Sequence, residues 1–445
     1  MKIVIAGARE VGTHLAKLLS GDNMDVILID DDPERISQLA FLNIMTLLGS
    51  PTSISTLRDA EVNKADLFIA VTPVESVNIH ACLLATNMGA RKTVARIDNY
   101  ELQKEESATF YRRIGVSSLI YPEFLGGKAI AAAIATPWAR LSIEFCEGSL
   151  LLLAVKVREK APIVGQKLMD LGREHSKQYH VAAIKRGEDL IIPSGADVVL
   201  AEDIVFFMTP PDQQNAVRLV CGKKERDIRR VVFMGGRRMG VQASYVLPKD
   251  LDIVFVEEDR QRCEQLLQLV KGCHVIQGNV GDMEVFSELH LTARDCFVAL
   301  GDNSGNNVLS CLNAKKLGVG KTVAEIEDVG YITIADNLNI GSTVNKKLLT
   351  ASSIYQMLLD ADKTSAKVYS LVDAQVAELE AQTDSYITKD MIKNLRIDRD
   401  ITLGGMVRDG VGYTIGGDTR IQPGDHVVLV CREEKMRQAE KLFLS

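Results

Sequence analysis

Short, almost unbroken runs of Val, Ile and Leu alternate along this chain with longer stretches in which apolar positions recur every three or four residues. Runs of the first kind read as parallel strands buried on both faces, and stretches of the second kind as the crossover helices that join them. In the leading part the pattern predicts strands over 2–6, 25–29, 44–48, 67–71 and 93–97, hence a doubly wound parallel sheet. An alanine-rich apolar helix follows over 123–136, and its stripe needs either another part of the chain or another subunit to cover it.

The same order of elements occurs twice. KIVIAGAREVGTHLAKLL with DVILIDDDPERISQL returns about 228 positions later as RVVFMGGRRMGVQASYVL with LDIVFVEEDRQRCEQLL. LLGSPTS matches IQGNVGD, LFIAVTPVESVNIHACLLATNMGARKTVARI matches CFVALGDNSGNNVLSCLNAKKLGVGKTVAEI, and the apolar helix has its copy over 344–360. Behind each copy lies a smaller unit. LLLLAVKVR reads as a strand, APIVGQKLMDL as turn and helix, HVAAIKRGEDLIIPSGADVVLAEDIVFFMT as further strands, and DQQNAVRLV as a closing helix. GADVVLAED and GDTRIQPGD are equivalent turns before a last strand, so this unit repeats as well. The predicted fold is α/β: two Rossmann-like domains with doubly wound parallel sheets, 1–122 and 228–346, each followed by a small α+β domain, 140–222 and 365–445.

The loop Gly7-Ala8-Arg9-Glu10-Val11-Gly12 joins the first strand to the first helix, where unpaired backbone amides and the helix dipole attract a pyrophosphate. Asp30 ends the next strand, the place from which a carboxylate accepts hydrogen bonds from ribose hydroxyls. Thr72 and Pro73 follow the fourth strand at the carboxyl edge where such sheets bind ligands, and Arg96 lies in the fifth with a guanidinium suited to phosphate. Arg9 stands where a middle glycine normally lets the backbone approach phosphate, so binding is weakened, shifted or rescued by the guanidinium itself. The structural alternatives are that the glycines serve only a tight turn and helix packing, and that Arg96 is a surface or interface charge. The second copy keeps Gly235, Gly240 and Glu257, sets Arg237 at the middle position, and has Gly301 for Thr72 and Glu325 for Arg96. An anion in place of a cation raises the electrostatic cost of phosphate, so nucleotide binding is expected chiefly in the first half.

Composition removes other classes of function. The net charge of −7 comes from 59 acidic and 52 basic residues mixed along the chain, which leaves no basic stripe for nucleic acid. Eight cysteines without a CxxC pair point to a reducing cytosol, and the longest apolar runs fall short of the ~20 residues a bilayer span needs. The segment from Gly318 to Thr322 imitates a phosphate loop, but Lys315 occupies the required glycine position and a strand follows. Seven histidines lack HExxH or Cys/His ligand spacing and no GxSxG elbow occurs, so neither a metal site nor a catalytic residue is assigned.

Taken together, GAREVG with Asp30, GSPTS, VTPVESVNIHAC, ARI at 95–97, PIVGQKLMDL, VAAIKRG and IIPSGADVVLAED resemble the TrkA family, the cytosolic regulatory subunits of Trk potassium uptake systems. The resemblance spans the chain, in the order RCK N-terminal, RCK C-terminal, twice. It implies a homotetrameric ring on the inner face of the cell membrane, docked on a separate potassium-translocating membrane subunit and gated by NAD(H) or by ATP or ADP. The nucleotide positions it implies are Gly7, Ala8, Arg9, Glu10, Val11, Asp30, Thr72, Pro73 and Arg96, and more loosely Gly235, Gly236, Arg237, Arg238, Met239 and Glu257. Two other readings stay open: an NAD-dependent oxidoreductase, and an RCK-type regulator of a different channel or transporter.

Overall fold

The computed structural model describes residues 1–21, 24–39, 44–175, 177–187, 189–279, 283–328, 330–359, 367–371 and 374–444. Position 360 of the second apolar helix, 365–366 of the last predicted domain and the end of the IQGNVGD match lie outside the described residues. The first sheet has six strands: β1 (Lys2–Ala6), β2 (Asp25–Asp30), β3 (Met45–Leu48), β4 (Leu67–Ala70), β5 (Thr93–Arg96) and β6 (Ser118–Ile120). They lie in the order β3-β2-β1-β4-β5-β6, every pair parallel. Val4, Ala6, Ile27, Ile29, Phe68 and Ala70 are buried on one core with the helix Glu75–Met88, and Ile3, Ile5, Val26, Leu28 and Ile69 between them are buried on the other face, which is why these strands read as continuous apolar runs. β6 was not expected, because Ser-Leu-Ile is too short to show a period.

The small domain that follows is antiparallel, with β7 (Leu141–Phe145), β8 (Leu150–Lys156), β9 (His180–Arg186), β10 (Asp189–Ile191) and β11 (Ile204–Thr209) in the order β10-β9-β11-β8-β7. The second Rossmann-like sheet repeats the first with β12 (Arg230–Met234), β13 (Asp252–Glu257), β14 (His274–Gln277), β15 (Asp295–Ala299), β16 (Lys321–Glu325) and β17 (Ser342–Val344), ordered β14-β13-β12-β15-β16-β17. Its small domain has β18 (Lys367–Leu371), β19 (Ala374–Glu380), β20 (Ile401–Arg408), β21 (Val411–Thr414) and β22 (His426–Cys431), ordered β18-β19-β22-β20-β21. The equivalent turns recur in atomic detail. Asp203 takes Arg186 in a two-pronged pair and the Leu200 amide, and Asp425 takes Arg408 and the Gln422 amide likewise.

The two small sheets share a core. Val205 and Phe207 of β11 face inward on their own domain with Leu171 and Val217 from its helices. Ile204, Phe206 and Met208 face the other way, onto Val376, Val407, Val428 and Val430 of the second small domain. Alternation with period two thus serves two cores at once, and β11 is buried at every position.

The apolar helices are exchanged between halves. Contacts divide the chain into one compact unit of 1–125 with 346–362 and another of 126–345 with 363–445. In the first unit the helix Lys346–Leu359 packs on the helix Glu10–Gly21. In the second, the helix begun at Pro122 lays Gly127 against the second half's own loop helix, so close that a Cβ there would sit 2.7 Å from the Ala243 nitrogen. On this helix Gly127, Ile130, Ala133 and Ile134 are buried within the chain, while Phe124, Ala129, Ala131 and Ala132 stay partly exposed.

Within the second unit, buried cations tie the first small domain to the second Rossmann-like sheet. Lys321 is 4% exposed and donates to the Ala139 carbonyl (2.5 Å) and Ser342 Oγ (2.8 Å). Burial pushes its ammonium down to about 7. The folded state thus holds this proton less tightly than the unfolded chain does. Stability is expected to rise with pH between about 7 and the ordinary lysine range, by at most ~1.4 kcal/mol per pH unit. Denaturant midpoints across that range should rise more steeply with pH in the wild type than in Lys321→Met; an equal slope in both would refute the assignment.

Candidate functional site

Parallel pairing aligns Ala6 with Ile29 and Ala70, and Ala70 with Ala95, so the segments after β1, β2, β4 and β5 emerge along one edge. The chain changes direction across the sheet between β1 and β4, the switch point where doubly wound sheets open a crevice. Gly7, Ala8, Arg9, Glu10, Val11, Gly12, Asp30, Thr72, Pro73 and Arg96 all belong to that edge.

The loop is built on sterics that only glycine meets. Gly7 has φ +110°, and a Cβ at Gly12 would collide with the Gly7 carbonyl oxygen. The helix ladder begins with the Thr13 amide donating to the Arg9 carbonyl (2.8 Å), so the amides of Glu10, Val11 and Gly12 precede it and have no helical acceptor. Asp30, 5% exposed, accepts from the Ala8 amide through Oδ2 (2.6 Å), and from the Asp32 amide (3.0 Å) and Arg35 Nη1 (3.3 Å) through Oδ1. Three donors among the described residues, on a carboxylate with about four lone-pair sites, leave Oδ2 one acceptor position. Asp30 therefore first fixes the loop, and Arg35, which the sequence pattern did not single out, first fixes Asp30.

A second residue that the pattern did not reveal is Asn78, 1% exposed. Its Oδ1 accepts from the Thr72 amide (2.9 Å) and hydroxyl (2.7 Å), while its Nδ2 donates to the carbonyls of Thr72 (2.9 Å) and Arg96 (3.0 Å). One amide side chain thus ties the ends of β4 and β5 together. Asn307 repeats the clamp on Gly301 and Glu325. The duplication held the signal: VNIHAC and NNVLSC keep Asn and Cys in register while most residues between them change.

Charge separates the two crevices. Arg9 is exposed and makes no ion pair among the described residues. Arg96 reaches Asp98 with Nη2 (3.3 Å), while its Nε is buried and has no hydrogen-bond partner among the described residues. In the second copy Gly235, Gly236 and Gly240 rebuild the turn, with Met239 buried and Arg238 exposed, and Glu257 Oε2 accepts from the Gly236 amide (2.7 Å) as Asp30 does from Ala8. Arg237, however, turns across its crevice to Glu325 (3.3 Å), Glu327 (3.7 Å) and Asp302. The anion at 325 has recruited the loop's own guanidinium.

Fold and edge geometry define a class: a tandem α/β protein whose two Rossmann-type crevices keep one backbone design and opposite electrostatics. The chain belongs to the TrkA family. The TrkA-N domain matches residues 3–122 and 231–346, and the TrkA-C domain matches 152–222 and 376–444. The Trk system potassium uptake protein TrkA of Halomonas elongata is 30% identical over 450 residues, covering 100% of this chain and 98% of that protein. The protein of the same description from Vibrio alginolyticus is 30% identical over 453 residues with the same coverage. Among solved structures, the GsuK RCK domain has a TM-score of 0.61 at 14% identity, covering 99% of this chain and 94% of that one. The GsuK channel bound to NAD has a TM-score of 0.58 at 15% identity, covering 99% and 78%.

Proposed function

We propose that this chain is the nucleotide-sensing regulatory subunit of a Trk-type potassium uptake system, regulating and not catalysing. It acts as a homotetramer on the inner face of the membrane, against a separate membrane-embedded potassium-translocating subunit. The observation that carries the reading is the unequal pair of crevices. The first offers loop amides, a free acceptor position on Asp30 and two under-paired guanidinia, the features an adenylate or dinucleotide diphosphate needs. The second neutralises its own arginine. The likeness to uptake proteins named TrkA supports the potassium system, and the likeness to a GsuK channel bound to NAD supports NAD(H) beside ATP and ADP as ligand. Among the described residues no helix is long and apolar enough to cross a membrane, in keeping with a pore carried by another chain.

Bound in the first crevice, NAD(H), ATP or ADP would be held by Asp30 at a ribose hydroxyl and by Arg9, Arg96 and the loop amides at phosphate, beside Thr72 and Pro73. A ligand that binds one arrangement of the domains about tenfold better shifts their ratio tenfold, ~1.4 kcal/mol, which one charge-assisted contact supplies. Calorimetric titration of the full chain with ATP, ADP, NAD and NADH tests the reading. One strong site per chain is expected, weakened about tenfold or more in Asp30→Ala and in Arg96→Gln. Failure of all four to bind, or turnover of NADH on its own, would overturn it.

A further inference from the structure

The exchanged helix Lys346–Leu359 carries two adjacent lysines into the first Rossmann-like domain. Lys346 Nζ lies 3.7 Å from Glu123 Oε1, and Lys347 Nζ pairs with Glu10 Oε2. Glu10 belongs to the glycine loop and opens the helix Glu10–Gly21. Its side chain is 68% exposed, whereas that of Lys347 is only 14% exposed. An ammonium this covered, facing a carboxylate this solvated, is held in place chiefly by the packing of its own helix, since an exposed ion pair alone contributes little. His14 lies one helical turn beyond Glu10. Its Nε2 is buried and has no hydrogen-bond partner among the described residues, and burial, with Lys17 and Lys347, holds the imidazole below its ordinary range.

The position of Lys347 matters for charge. With no anion in the loop, Glu10 complements the positive end of the helix dipole. A diphosphate at the amides of Glu10, Val11 and Gly12 takes over that task and sets a second anion beside Glu10. Two anions at one helix turn repel, and the cation on the neighbouring helix relieves them. In the other copy the corresponding positions hold Arg238 and Glu123, so the sign on the exchanged helix is reversed.

We propose that Lys347 is a positioning residue of the first half's anion site, supplied by the second half, so that charge bound in the glycine loop tightens the docking of helix Lys346–Leu359 on helix Glu10–Gly21. The inference rests on the nucleotide-binding reading above and adds the route by which the second half feels the ligand. Coupling of this kind is reciprocal: if the helix docks more tightly with ligand, removing Lys347 weakens the ligand by the same factor.

The test titrates the full chain with ADP and with NAD, as wild type, Lys347→Gln and Lys347→Arg. Lys347→Gln is expected to weaken binding about fivefold or more, the lower end of ordinary coupling energies. Lys347→Arg retains most of the affinity. In hydrogen exchange, ligand slows the backbone amides of 346–359 in the wild type, and this gain disappears in Lys347→Gln. Wild-type binding with an unchanged Kd and unchanged protection in Lys347→Gln would overturn this inference alone. Failure of the wild type to bind either probe would overturn the reading beneath it and this inference together.

Discussion

Asp336→Ala is expected to loosen the junction between the first small domain and the second Rossmann-like domain by about 3–5 kcal/mol. Asp336 sits on the helix Gly330–Leu338 and accepts from two cations of the small domain, Arg140 Nη1 (2.6 Å) and Lys185 Nζ (2.9 Å). Both cationic side chains are about 10% exposed. Burial pulls the Arg140 guanidinium below its ordinary range, and the charge of Asp336 is the strongest influence opposing that. Removing the carboxylate leaves two like charges facing each other away from water, a larger loss than breaking an ordinary pair. Asp336→Asn keeps the shape and should fall between. Because a chain of four domains need not unfold in one step, the effect is best read from local hydrogen exchange in Gly330–Leu338 and in His180–Arg186. A change in opening free energy no larger than the roughly 0.5 kcal/mol of a surface substitution would refute the assignment.

That junction marks the limit of what the sequence discloses. Buried parallel strands announce themselves because both faces are apolar, so β1, β2, β4 and β5 were legible to within a residue at each end. The edge strands β6 and β17 were not, since three residues carry no period. The alternation within β11 was hidden for the opposite reason: with a core on each side, every position is apolar and the two faces cannot be told apart. The glycine turn and the acid after β2 were visible as a motif, because spacing along the chain sets them. The partners of Asp30 were visible only in part, because Arg35 reaches back from a helix whose orientation no pattern records. Which half covers each apolar helix was beyond reach as well: Glu10 and Lys347 meet through tertiary packing alone. Asn78 and Asn307 stand between these cases, overlooked in either copy taken singly and evident once the copies are laid together.

Arg237 and Glu325 lie 88 positions apart, and the sequence showed them only as two separate departures from the first crevice. Their pairing makes a strong expectation. Glu325 is 1% exposed, and Arg237 is the cation that reaches it, Glu327 and Asp302 together. Arg237→Ala should destabilise the second Rossmann-like domain by about 3 kcal/mol, the lower end for breaking a buried pair, because Arg237 is itself about a third exposed. The deficit should be largely recovered in Arg237→Ala/Glu325→Gln, where the buried charge is gone as well. Denaturant midpoints of the two variants against the parent check this. ADP titration supplies the functional control, for if the second crevice holds its own cation, the first should bind ligand in Arg237→Ala as tightly as in the wild type. Were Arg237→Ala as stable as the parent and the double variant no better, Arg237 would be a solvated loop charge, and the electrostatic contrast between the two crevices would need another origin.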